Sequence, residues 1–158
     1  MRVGLRIALG ADHAGVVLKD NLARLLGERG ITYKDFGTHG LESVDYPDFA
    51  ADVARAVAAG DYDRGLLVCG SGIGMAIAAN KVAGIRAAVV TEAESARLSR
   101  SHNDANVLAL GARLMPPEVA SDILAAFLDT PFEGGRHQRR IDKLTQLDCS
   151  RPGIKSTL

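Results

Sequence analysis

Five short apolar runs, each followed by a stretch of helical periodicity, constrain this chain more than any other feature. The runs are "LRIAL" (5–9), "ITYKDFG" (31–37), "GLLVCG" (65–70), "IRAAVV" (85–90) and "NVLALG" (106–111). Short apolar runs bounded by turn residues fit strands buried on both faces, and the stretches between them are long enough for helices. In "GVVLKDNLARLLGERG", Val17, Leu18, Leu22, Leu25 and Leu26 share a stripe, and Gly30 supplies a stop. "DYPDFAADVARAVAAG" puts Pro47 in a first turn and Gly60 at an end. Further helices are expected over 74–84, 92–102, 116–129 and 135–147. Alternation of this kind predicts one α/β domain over 1–147, with a parallel sheet covered on both faces by right-handed crossovers. The last residues, 148–158, lack periodicity and are expected to form a flexible tail.

Charge and cysteine usage exclude several classes of function. Lys plus Arg and Asp plus Glu both number 19, so no global field recruits nucleic acid or an anionic membrane. No apolar stretch approaches the roughly 18 residues of a membrane span. "MRVGLRIALGADH" has too short an apolar run for a signal peptide and fits a first strand. Cys69 and Cys149 belong to no C-x-x-C pair. Neither a disulfide framework nor a structural metal site is therefore expected, and a reduced, cytoplasmic protein is.

In open parallel sheets, ligands bind beyond the carboxyl ends of the strands. The polar oddities of the sequence gather at strand ends: "GADHAG" after the first, "CGSGIG" after the third, "HND" just before the fifth. They are expected to share one rim. Gly70, Gly72 and Gly74 make a backbone-amide loop at a helix start, which suits an anion. It is not a dinucleotide fingerprint, because the third glycine of G-x-G-x-x-G is missing: Met75 or Ile77 stands there. The phosphate-loop pattern Gly-Lys-Ser/Thr is also absent. Cys69 precedes the loop. It is either a small apolar residue closing a strand or a thiol whose ionised form a helix start favours. Asp12 and His13 fit a helix cap or a site. His102 and Asn103 add polar groups to the expected rim, a convergence that points to a site. In "GGRHQRRIDK", Arg136 and Arg140 share a helical face and could grip a phosphate by paired hydrogen bonds, as could Arg113.

"GADHAG", "DYPDFA", "CGSGIGMAIAANKVAGIRAA", "LSRSHNDANVLALGARL" and "PFEGGRHQRRI" together resemble the type B ribose-5-phosphate isomerases, within a wider family that includes galactose-6-phosphate isomerase subunits. The resemblance covers residues 5–147. It implies a three-layer α/β/α Rossmann-like sandwich with a five-stranded parallel sheet, for which the order 2-1-3-4-5 is expected. It also implies no metal or organic cofactor, and a homodimer or dimer of dimers with shared active sites. The implied reaction interconverts ribose 5-phosphate and ribulose 5-phosphate, a step of the pentose phosphate pathway, through an enediolate. With Cys69 before the loop and Met75 after it, the chain resembles the subgroup that uses cysteine as the base.

The roles that follow are expectations of that resemblance. Cys69 moves the proton between C1 and C2. Ser71 and the amides of Gly70, Gly72, Ile73 and Gly74 hold the enediolate oxygen. His102 opens the furanose ring, Asn103 binds the sugar hydroxyls or the enediolate, Asp12 binds a hydroxyl, and Tyr46 lines the pocket. Asp45 either joins it or caps the helix near Pro47. His13, Arg113, Arg136 and Arg140 hold the phosphate, and some of these groups, with His102 and Asn103, come across a subunit boundary. Two alternatives stay open: an isomerase of a four- or six-carbon sugar phosphate, and a sugar-phosphate or nucleotide sensor without turnover. A nucleic-acid binder is disfavoured by the neutral charge.

Overall fold

The structure, a computed structural model, describes residues 4–150. Among them, five strands alternate with helices: β1 (Arg6–Ala11), α1 (Val16–Glu28), β2 (Thr32–Asp35), α2 (Tyr46–Ala58), β3 (Arg64–Cys69), α3 (Ile73–Ala79), β4 (Ala87–Val89), α4 (Ala93–Ser101), β5 (Val107–Gly111) and α5 (Pro117–Asp129). A 3-10 turn at Gly135–His137 leads into α6 (Gln138–Cys149). All strand pairs are parallel. No helix among the described residues is long and apolar enough to cross a membrane.

The sheet order is β2-β1-β3-β5-β4, which corrects the expected 2-1-3-4-5 at its last two places. Burial explains the exchange. All five residues of β5 are buried, whereas β4 has three residues, none of them fully buried. The strand that is apolar throughout takes the interior position, and the short one takes the edge, where a strand needs only one paired side.

Two apolar layers hold the sandwich. On one face Leu18, Leu22 and Leu26 of α1 pack with Ala96 of α4 and with Ile123, Leu124 and Phe127 of α5. On the other, Ala50, Val53 and Val57 of α2 meet Met75, Ala76 and Ala79 of α3. The stripe of α1 departs from expectation: Val17 is exposed, and Val16 and Lys19 are buried in its place. Lys19 can be buried because its ammonium pairs with Asp35 on β2, as a buried charge requires. The expected stops hold at Gly30 (φ +68°) and Gly60 (φ +79°).

Helix α3 ends well before the expected residue 84. The Asn80 amide turns to the sheet edge, accepting from the Ala87 amide at 2.8 Å and donating to the Ala87 carbonyl at 3.0 Å. A side chain that mimics a strand partner for β4 competes with helix continuation. At the chain end α6 runs to Cys149, two residues past the expected boundary. The rest of the expected tail, 151–158, lies outside the described residues.

Candidate active site

The carboxyl ends of β1 and β3 open into a cleft of about 320 Å³ lined by Asp12, Tyr46, Cys69, Gly70, Ser71, Gly74, Arg113 and Leu114. Its shape comes from backbone. Cys69 ends β3 in register with Gly111 of β5 and is 5% exposed. The chain then reverses through Gly72, whose φ of +77° favours glycine. A Cβ there would stand 2.8 Å from the carbonyl carbon of Leu110. The reversal directs the Gly72 amide at the Cys69 Sγ, 3.1 Å away. The Ile73 amide donates to the Ser71 Oγ at 3.3 Å. Of the loop amides expected to face a ligand, those of Gly72 and Ile73 are therefore already engaged within the loop, and the Ile73 side chain is exposed.

Glycine is also demanded where side chains lie flat on the loop. A Cβ on Gly74 would meet the Tyr46 ring at 2.6 Å, and one on Gly70 would meet the Arg113 Nη1 at 3.0 Å. Asp12 is buried, and its Oδ1 accepts from the amides of Ala14 and Gly15 at 3.0 and 3.2 Å. It thus caps the turn before α1 and lines the cleft as well. His13 accepts the Val44 amide on Nδ1 at 3.2 Å, which places the proton of its neutral ring on Nε2. That bond ties down the segment carrying Tyr46. Asp45, at the start of α2, makes no side-chain cap hydrogen bond.

His102, Asn103, Arg136 and Arg140 do not line this cleft. The expectation that His102 and Asn103 share its rim is corrected by chain direction: in a parallel sheet, residues preceding a strand sit at its amino edge. His102 and Asn103 precede β5, whose five residues span roughly 16 Å. At that edge His102 ends α4, its amide donating to the Leu98 carbonyl at 3.0 Å. Its ring stacks on His137, with centroids 4.3 Å apart and planes 13° apart. His137 is buried, with its Nε2 3.6 Å from the Glu133 carboxylate. Burial above all, then the charges of His102 and Arg136, hold the His137 pKa below the ordinary 6.5; Glu133 opposes them and Arg140 adds to them. Asn103 is exposed and lines a separate cleft of about 430 Å³ beside Leu144 and Leu147 of α6.

Asp104 locks this loop. It adopts φ +45°, and its two carboxylate oxygens accept from Arg100 at 2.8 Å and Arg86 at 3.2 Å. Arg86 also donates to the carbonyls of Asn103 and Asp104, and Arg100 to that of Ala105.

His102, Glu133 and His137 bring donor atoms within 4.8 Å of one another. Two near-parallel rings, however, aim their lone pairs side by side, whereas a shared ion needs them to converge. The positive charges of Arg136 and Arg140 also bear on this cluster. The arrangement is that of a stacked pair.

The ribose/galactose isomerase family model matches residues 7–144. The chain belongs to the ribose/galactose isomerase family. Its similarity to ribose-5-phosphate isomerase B of Escherichia coli is 50% identity, over 92% of this chain and 98% of that protein. It is 45% identical to a D-erythrulose-4-phosphate isomerase of Pectobacterium atrosepticum, over 89% of this chain and 93% of the relative. Ribose-5-phosphate isomerase B of Clostridium thermocellum superposes with a TM-score of 0.91 at 52% identity, covering 92% of this chain and 98% of that one. The Mycoplasma genitalium enzyme with bound ribulose 5-phosphate superposes at 0.90 and 40% identity, covering 94% and 99%.

In this ribose/galactose isomerase, sequence reasoning gave no role to Arg86, Arg100, Asp104 or His137. The four-residue spacing of Arg100 and Asp104 was a usable signal. Nothing in sequence spacing brings Arg86 to Asp104, or His137 to His102.

Proposed function

We propose that the chain interconverts ribose 5-phosphate and ribulose 5-phosphate, with Cys69 as the base and with each active site completed by a second copy of the chain. The observation that carries this reading is the buried thiol at the end of β3, contacted by a backbone amide and facing a cleft that also holds Asp12, Ser71 and Arg113. His102 donates a proton to the ring oxygen as the C1–O4 bond breaks, and the C1 hydroxyl loses its own proton to solvent. The Cys69 thiolate then takes the C2 proton of the open-chain aldose, the C2 hydroxyl proton passes to the C1 oxygen, and the thiol returns its proton to C1, leaving the C2 ketone and the free thiolate. Ser71 and the amides of Gly70 and Gly74 stabilise the oxygen on which charge develops. Asp12, with Oδ1 engaged, offers Oδ2 to a hydroxyl.

Separation of the two edges within one chain supports the shared site. A two-fold axis that lays the amino edge of one copy over the carboxyl edge of another brings His102 and Asn103 to Cys69, and does so twice. The same operation adds Arg136 and Arg140 to Arg113 and His13 around a phosphate. The three guanidiniums are exposed, and among the described residues they are in no ion pair.

Cys69→Ala tests the base. Isomerase activity is expected to fall by about 10²–10⁴-fold with sugar-phosphate binding retained, the range of a lost acid–base group. A variant keeping more than about a tenth of wild-type turnover, a change under about 1.4 kcal/mol, removes the thiol from that role. The D-erythrulose-4-phosphate isomerase among the relatives favours a second reading, a four-carbon sugar phosphate. Comparing kcat/KM for the four- and five-carbon substrates decides between them.

A further inference from the structure

We infer that His137 is a positioning residue for His102: its buried ring is a fixed platform against which the ring-opening acid is stacked. The inference rests on the reading of His102 as that acid.

The backbone beneath His102 is held on both sides. Its amide is bonded into α4, and two residues later Asp104 is clamped by Arg86 and Arg100. Those bonds leave the imidazole itself free to rotate, and His102 is only half-buried. The ring contact that restrains it is His137. His137 is 5% exposed, so packing fixes its own rotamer, and Glu133 lies beside its Nε2. A flat ring 4.3 Å away and 13° from parallel restricts the rotation open to His102. Proton donation to a ring oxygen needs the donor within hydrogen-bond reach, and small displacements of a catalytic group cost rate steeply. Burial and the neighbouring positive charges hold the His137 pKa below its ordinary value, so the platform resists taking up a charge beside His102.

Ribose 5-phosphate is a furanose that must be opened. Ribulose 5-phosphate carries its phosphate on the oxygen that would close a furanose ring, so exchange of its C1 hydrogen with solvent deuterium needs no ring chemistry. The two reactions therefore separate His102 from Cys69. In the full chain, His137→Ala is expected to lower kcat for ribose 5-phosphate about tenfold while KM moves less than about twofold. Its C1 exchange in ribulose 5-phosphate stays at the wild-type rate, which also shows that the variant is folded. His137→Phe, which restores a flat ring, is expected to bring kcat back to within about twofold of wild type.

Equal loss of both reactions in His137→Ala, no loss in either, or failure of His137→Phe to restore kcat would overturn the inference. His102→Ala serves as the reference, expected to lose far more ribose 5-phosphate turnover than C1 exchange. Should it lose both equally, the ring-opening role itself fails and the inference goes with it. Should His102→Ala separate the reactions and His137→Ala not, only the positioning role is removed.

Discussion

At the carboxyl edge of the sheet, Cys69 is placed by backbone: a left-handed glycine, an amide at 3.1 Å from sulfur, and neighbouring residues packed where no Cβ would fit. At the amino edge, His102 is placed by side chains: a carboxylate between two guanidiniums, and one imidazole stacked on another. Backbone placement is rigid but tolerates no added atom. Side-chain placement can be dismantled one group at a time, and it carries titratable groups. The two edges should therefore fail differently.

The largest effect is expected at the backbone-built edge. Gly72→Ala combines a left-handed φ with a clash against Leu110, two costs that together reach about 3 kcal/mol. Urea unfolding measures it, and a loss below about 1 kcal/mol would show that the loop can shift and that its geometry is not enforced. At the other edge, Asp104→Ala leaves the Arg86 and Arg100 guanidiniums facing each other without their shared acceptor. The expected loss is about 1–3 kcal/mol, because Arg100 is nearly buried and loses a charged partner. A loss as large as that of Gly72→Ala would erase the distinction drawn between the edges.

The smallest effect is a pH dependence confined to the amino edge. The folded state holds the His137 pKa below its ordinary 6.5, so the unfolded chain binds this proton more readily. Stability linked to His137 is thus complete above about pH 6.5 and is lost as pH falls from there toward the folded value. Thermal melts between about pH 7.5 and 5.5 are expected to show a steeper decline in wild type than in His137→Phe. Parallel declines would mean that His137 is not held neutral by its surroundings.

Much of the carboxyl edge was legible in the sequence because its rules are local. A glycine series after an apolar run marks a strand-to-helix turn, and Asp12 and Cys69 sit where such turns occur. The final strand order was not legible. "IRAAVV" and "NVLALG" differ little as apolar runs, and their pairing is decided by which one the helices bury. Helix α3 was overextended to residue 84 because the Asn80 amide that pairs with Ala87 is a tertiary contact. Lys19 interrupts the apolar stripe of α1, and only its pairing with Asp35 on another element explains its burial. The amino-edge network joins residues distant in sequence, such as His102 and His137. Placing "HND" on the shared rim overlooked the direction of the chain, although its position before β5 was plain in the sequence.

Subunit mixing tests the central claim that one catalytic centre draws on both edges through two copies of the chain. Cys69→Ala and His102→Ala, each nearly inactive alone, are combined in equal amounts under conditions that exchange subunits. In a two-fold dimer half of the assemblies are mixed, and each of these holds one site with both groups intact, so activity should rise to about a quarter of wild type. No recovery after demonstrated exchange would contradict the account, since each chain would then have to build its active site alone.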